Sequence, residues 1–179
     1  MLLLRIYLKI RKIIWKKFIH PILNSYYRQK VKSTAVSIGK GLKVNAPTWV
    51  TPKTILGNNV NFNGMEMIGN GNIVIGDNFH SGRGCIIITS NHNYDRGKAI
   101  PYDTTNIDKD VIIEDNVWLG INVTITGGVT IGEGAIIQIG SVVVSNIPPL
   151  AIAGGHPAKV YKYRNKEHYF RLKELKSFI

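Results

Sequence analysis

From Ile38 onward an aliphatic side chain returns at every sixth residue, a spacing that neither a helix of 3.6 residues per turn nor a simple two-residue strand alternation produces. In the longest run the position is held by Ile113, Leu119, Ile125, Ile131, Ile137 and Val143. Four residues after each stand Val117, Val123, Val129, Ala135, Ser141 and Ile147, all small or aliphatic. An earlier run in its own phase takes Ile38, Val44, Val50, Leu56, Phe62 and Ile68, and a third takes Ile75 and Ile87, with Phe79 and Cys85. Turn strings of the IGDN, IGEG and LGNN kind separate the units. A short repeat with one inward aliphatic per unit predicts a parallel β-helix, because a single unit buries its apolar side chain only by stacking on the next.

Three six-residue strips make one triangular coil. Residues 38–55, 56–74 with one extra residue, 75–92, 113–130 and 131–148 then give about five coils. Segment 93–112 breaks the period, is polar and carries a proline, so it is read as a loop thrown out of the helix; loops of that length in compact repeats are usually functional or disordered. After residue 148 comes a turn-rich exit, then a short basic amphipathic helix over 165–179, whose simplest role is to cap the last coil. With 179 residues, 44% hydrophobic and 9% aromatic, the chain fits one ordinary β-rich domain and not a coiled coil or a disordered tail.

The net charge of +12 is segmental. Residues 1–65 hold 12 Lys and Arg and no Asp or Glu, whereas residues 66–179 hold 11 of each. On a helical wheel residues 1–23 place Arg5, Lys9, Lys12 and Lys16 on a narrow stripe, with Leu3, Ile6, Tyr7, Ile10, Ile13, Ile14 and Phe18 opposite. That is a basic amphipathic helix, and Pro21 predicts its kink or end. The expected segments are therefore 1–37, basic helix and linker; 38–164, β-helix; and 165–179, C-terminal helix. Arg5 and Lys9 break the apolar start, a poor match to a cleaved signal peptide, and no apolar run approaches the roughly 20 residues of a spanning helix. A lone Cys85 forms no internal disulfide and fits a reducing cytoplasm. The expected location is cytoplasmic, with residues 1–23 either peripheral on the inner face of the membrane or folded back to cap the first coil.

The repeats, the SNHNYD segment before the ejected loop, DNVWLG after it and IPPLAIAGGHPAKV at the exit together resemble the hexapeptide-repeat acyltransferases. The nearest likeness is to the branch of polysaccharide and colanic-acid sugar O-acetyltransferases, over about residues 38–164. The resemblance implies an all-β fold, a left-handed parallel β-helix flanked by the two helices; handedness comes from the family, since parallel crossovers are otherwise right-handed. It also implies a homotrimer with sites between subunits, and acetyl-CoA as cosubstrate.

Acetyl transfer from a thioester to a hydroxyl needs a base for the alcohol proton and a donor for the oxyanion. His92 matches the family's catalytic histidine, and the Gly120–Ile121 backbone its oxyanion donor. His20, His80, His156 and His168 take structural readings, His80 lying two strips from His92. No His or Cys spacing suits zinc, so no metal is expected. For coenzyme A the resemblance points to Trp118, Gly120, Gly140 and Ser141 along the pantetheine, and to Lys159, Lys162 and Arg164 as cations for the 3′-phosphate. For the sugar it points to Asn61, then Asn63 and Glu66, while Asn91, Tyr94 and Asp95 flank the base as candidates to orient it. Asn in β-helix turns is also a common left-handed corner.

The leading functional reading is an acetyl-CoA-dependent O-acetyltransferase acting on a sugar of a surface polysaccharide or its lipid-linked precursor. The alternatives are an N-acetyltransferase of an amino-sugar nucleotide, a streptogramin-type xenobiotic acetyltransferase and, last, a non-enzymatic trimeric scaffold. No nucleic-acid partner is expected.

Overall fold

The computed structural model describes residues 2–178, with the side chains of Leu2, Leu3 and Ile6 outside that description. Short strands stack in parallel on three faces of a prism. The first face carries Ser37–Ile38, Thr54–Leu56, Ile73–Ile75, Val111–Ile113 and Thr130–Ile131. The second carries Lys43–Val44, Asn61–Phe62, His80–Ser81, Trp118–Leu119, Ile136–Ile137 and Ala151–Gly154. The third carries Thr48–Trp49, Met65–Ile68, Cys85–Ile88, Thr124–Thr126 and Val142–Val143. There are thus five complete coils and a partial sixth, one partial coil more than the repeat count predicts, because the exit strand Ala151–Gly154 continues the second face before Lys159–Tyr163 turns back antiparallel to it.

The six-residue run predicts the core. Ile113, Leu119, Ile125, Ile131, Ile137 and Val143 are fully buried, as are Val117, Val123, Ala135 and Ser141, with Val129 and Ile147 nearly so. Each large aliphatic contributes about 1.5–3 kcal/mol by leaving water. The earlier run fails on the third face. Thr48 pairs with Met65 and Met65 with Cys85, so the corner before Met65 is one residue short and the one after it is long. Strand side chains alternate, so this slip turns Met65 and Met67 inward and leaves Ile68 45% exposed and Val50 half-buried.

Corners repeat their chemistry from coil to coil. Asn59, Asn78 and Asn116 adopt φ of +53° to +60° at successive first-to-second corners, where Asn, with its short side chain, tolerates the left-handed region. Their amides form a ladder, Asn59 donating to Asn78 (3.1 Å) and Asn78 to Asn116 (2.9 Å).

The N-terminal segment is one long helical rod: α1 (Leu2–Ile14), a π-helical turn (Trp15–Ile19) and α2 (His20–Thr34). Pro21 does not end it, and no linker follows, since the first strand begins at Ser37. Proline cannot donate to the carbonyl four residues back, and the π turn just before it, where the His20 N–H donates to Trp15 O, absorbs the mismatch. The far half of α2 packs into the core, while its first turns border the first coil across a cleft. Val31 is buried in the core and Tyr27 packs edge-on to Trp49 with centroids 5.7 Å apart, so these residues close the first coil. The apolar side chains described between Leu4 and Ile22 do not: Tyr7, Ile10, Ile13, Ile14 and Phe18 are among those exposed. Leu3 and Ile6 lie outside the described side chains.

The C-terminal helix, α3 (Lys166–Glu174), is shorter than expected and starts where Asn165 Oδ1 accepts from the His168 N–H at 2.8 Å. It does not cover the end of the solenoid. Tyr169 is instead buried against a corner, its hydroxyl donating to Glu133 (2.8 Å) and accepting from Asn116 (2.9 Å), while Lys173 binds Glu133 at 2.5 Å.

Candidate active site

The ejected segment leaves the prism after the third face as a two-stranded antiparallel stem, Ser90–His92 against Asn106–Asp108. Ser90 Oγ donates to Asp108 and accepts from the Asn70 N–H, which ties the stem to the coil below. The loop ends earlier than residue 112, since Val111 is buried and Ile112 pairs in the next first-face strand. Asp103 organises its tip, accepting from the N–H of Lys98 and from both the N–H and hydroxyl of Thr105. The Thr105 hydroxyl first, then the two backbone donors, holds the Asp103 carboxyl below its ordinary range.

His92 stands exposed at the root of this loop. Its backbone faces Asn106, and its ring lies flat against Tyr102, centroids 3.8 Å apart and planes within 6°. Sequence reasoning missed Tyr102, which arrives from the far side of the loop, ten positions away. Among the described residues neither the Tyr94 nor the Asp95 side chain bonds to His92; Tyr94 offers only its N–H to the His92 carbonyl, and its ring is exposed.

On the second face the ladder register sets Lys43, Asn61, His80, Trp118, Ile136 and Ile152 in one outward row. Asn61 and Asn63 are brought together here, both accepting from the Asn45 amide (2.9 and 3.0 Å). Asn63 also reaches His80 Nε2 at 3.2 Å and donates to Ser81 O at 2.8 Å. His80 therefore belongs to this polar face, a place its spacing from His92 did not suggest but its 19- and 38-residue offsets from Asn61 and Trp118 encode. Burial lowers its basicity. Glu66 is on the third face, outward beside Trp49, and is not gathered with the asparagines.

Three expectations along the coenzyme path need correction. The Gly120 N–H already donates to Ile137 O at 2.7 Å, because Gly120 continues the ladder; among the described residues the next amide, that of Ile121, donates to nothing. Ser141 points into the core, its hydroxyl donating to Gln138 O (2.7 Å) and accepting from the Gly155 N–H (3.2 Å), so its side chain does not face a ligand. Arg164 donates to Gly134 O at 3.2 Å and lies 4.8 Å from the Tyr169 ring, an anchor for α3 and not a free cation. Gly140, by contrast, sits at φ +69° with open space where a side chain would begin, while Trp118, Lys159 and Lys162 are exposed. His92 leaves the corner after the third face and Trp118 stands on the second, so the two do not share a face of one prism.

The stacked prism is interrupted by one ejected loop with the exposed His92 at its root. Residues 110–145 match the family described as bacterial transferase hexapeptide (six repeats). Over 72 residues, 38% of this chain and 36% of the relative, it is 39% identical to galactoside O-acetyltransferase of Escherichia coli K12. Curated relatives from Schizosaccharomyces pombe, Escherichia coli and Lysinibacillus sphaericus are matched over less than half their length. Among solved structures, a galactoside acetyltransferase in complex with coenzyme A superposes with TM-score 0.64 at 26% identity, covering 74% of this chain and 67% of that one. A hexapeptide-repeat acetyltransferase of Vibrio cholerae, complexed with acetyl coenzyme A, gives 0.59 at 25%, covering 79% and 78%. A polySia specific acetyltransferase gives 0.58 at 26%, covering 78% and 71%. The fold is their left-handed parallel β-helix.

Proposed function

We propose that the chain is an acetyl-CoA-dependent O-acetyltransferase whose acceptor is a sugar hydroxyl of a surface polysaccharide or of its lipid-linked precursor. The observation that carries the reading is an exposed, ring-stacked His92 at the root of the ejected loop, on a prism whose structural neighbours bind coenzyme A. In this reading a His92 ring nitrogen takes the proton of the acceptor hydroxyl as its oxygen attacks the thioester carbonyl, and the Ile121 N–H donates to the oxyanion. Collapse of the tetrahedral adduct breaks the C–S bond, and the imidazolium returns the proton to the departing thiolate. Trp118, the open Gly140 corner, Lys159 and Lys162 line the donor's path, and Asn61 and Asn63 hold the sugar. The reading includes a homotrimer, supported by the placement of His92 and Trp118 on different faces, so that a neighbouring prism would supply what one lacks.

The reading extends to location. A rod whose apolar side chains from Leu4 to Ile22 are exposed, with Arg5, Lys9, Lys12 and Lys16 among them, fits the interface of an anionic membrane on the cytoplasmic side. No described helix is long and apolar enough to cross a membrane.

The test is thiol release from acetyl-CoA with a panel of glycan acceptors, the products read by mass spectrometry. His92→Ala is expected to lower kcat by about 10²–10⁴ with acetyl-CoA affinity retained, since a general base acts in the transition state. Near-normal turnover in that variant removes His92 from the mechanism.

A further inference from the structure

Between α2 and the first coil lies a cleft of about 350 Å³ lined by His20, Ser25 and Arg28 from the helix and by Lys43 and Asn45 from the coil. Each of these side chains can donate a hydrogen bond, as can that of Asn24, two are permanent cations, Pro21 and Val44 complete the lining, and no carboxylate lines the space. None stands nearby in sequence either, because the first acidic residue of the chain is Glu66. Among the described residues the one ion pair is Lys173 with Glu133, at the other end of the molecule, so Arg28 and Lys43 share a cleft without a counter-charge. Two uncompensated cations facing one space repel each other until an anion enters, and a guanidinium offers a phosphate two parallel donors.

The cleft opens onto the polar row of the second face. Lys43 stands beside Asn61 in the ladder, and Asn45, which lines the cleft, donates to both Asn61 and Asn63. Successive coils on this face carry Lys43, Asn61, His80 and Trp118, so at the roughly 4.8 Å spacing of paired strands the cleft is about 14 Å from the Trp118 strip. On the other side His20 and Pro21 adjoin the end of the exposed apolar stretch of the rod.

We propose that this cleft is a phosphate-binding site that takes the diphosphate of a diphosphate-linked glycan, directing its sugar along Asn61 and Asn63 toward His80 and Trp118. The assignment rests on the reading of the chain as a sugar O-acetyltransferase and names the acceptor's class. A polyprenyl diphosphate carrier and a nucleoside diphosphate present the same group, and the two differ in what hangs from its far side.

The test titrates the full chain by calorimetry, with coenzyme A saturating so that the donor's own phosphate contacts are filled, and uses inorganic pyrophosphate as probe. Binding is expected, weakened at least about tenfold in Arg28→Gln/Lys43→Gln and unchanged in Lys32→Gln/Lys40→Gln, two cations of the same acid-free segment outside the cleft. All four side chains are exposed, so both variants should keep the wild-type melting temperature. UDP and farnesyl diphosphate in detergent form the two further arms; the tighter ligand assigns the nucleotide or the lipid source. Absence of pyrophosphate binding, or equal binding in Arg28→Gln/Lys43→Gln, overturns the site. If no glycan is ever acetylated while pyrophosphate binding still needs Arg28 and Lys43, the enzymatic reading falls and the anion site stands.

Discussion

At the scale of single residues, the stacking of Tyr102 on His92 is the feature most open to dissection. A flat contact at 3.8 Å fixes the imidazole plane and covers one ring face while leaving the ring edge, and so its nitrogens, available. Tyr102→Phe keeps the ring and is expected to retain kcat within about twofold, whereas Tyr102→Ala frees the imidazole and lowers kcat by roughly tenfold or more with KM for acetyl-CoA unchanged. A loss equal in both variants would assign the effect to the hydroxyl. The resemblance to the hexapeptide-repeat acyltransferases pointed to His92, at a coil end where the loop begins, but its ring partner depends on how the loop folds back. The same limit explains Ser141. Its six-residue phase placed it correctly as an inward position, and inward placement is what withdraws its hydroxyl from a ligand.

Elements bring in electrostatics. The clasp that holds α3 joins Glu133 to Tyr169, Asn116 and Lys173. Burial alone would raise the Glu133 carboxyl, but Lys173 and the Tyr169 hydroxyl outweigh it and the group lies below its ordinary value; burial and then Glu133 push the Tyr169 phenol up. A depressed carboxyl stabilises the fold above its unfolded pKa of about 4.3, and that contribution is lost as pH falls through the folded value. Because the pair is partly solvated, its worth is about 1 kcal/mol or less. Glu133→Gln should therefore lower the melting temperature by at most about 2–4 °C at pH 7 and converge with wild type as pH falls through the depressed folded value, as followed by circular dichroism. The N-terminal rod makes the complementary prediction. In liposome flotation wild type should bind anionic vesicles, lose binding as salt rises, and fail to float as Lys9→Glu/Lys12→Glu/Lys16→Glu, since each cation contributes on the order of 1 kcal/mol at a charged surface. Soluble activity should persist. If the triple variant still floats, the rod is not an electrostatic membrane anchor.

For the whole molecule, the question is what one prism leaves incomplete. His92 and Trp118 belong to different faces, and the solenoid walls carry exposed apolar side chains such as Ile68 and Ile112 that packing of prisms would cover. Multi-angle light scattering is expected to give three copies per particle, with activity falling on dilution below the association range. A monomer that keeps full turnover would overturn the shared-site reading.

The sequence by itself determined the prism. A six-residue period fixes which side chains turn inward, since each buries only against its neighbour one coil away, and the same local arithmetic set the loop apart and marked both terminal helices as amphipathic. Tertiary structure decided what local period cannot carry. The slip at Met65 depends on one corner being a residue short, which turns the alternation over without changing the composition of the strand. Whether a proline ends a helix depends on whether a π turn can absorb its missing donor. Gly120, Ser141 and Arg164 had suitable chemistry for a ligand, yet a backbone donor, a hydroxyl and a guanidinium each satisfy themselves on the nearest protein acceptor, here Ile137, Gln138 and Gly134. Ile137 and Gly134 lie 17 and 30 positions away, within reach only through the stacking of coils and the docking of the C-terminal segment, whereas Gln138 is three residues back in the turn that holds Ser141 inward.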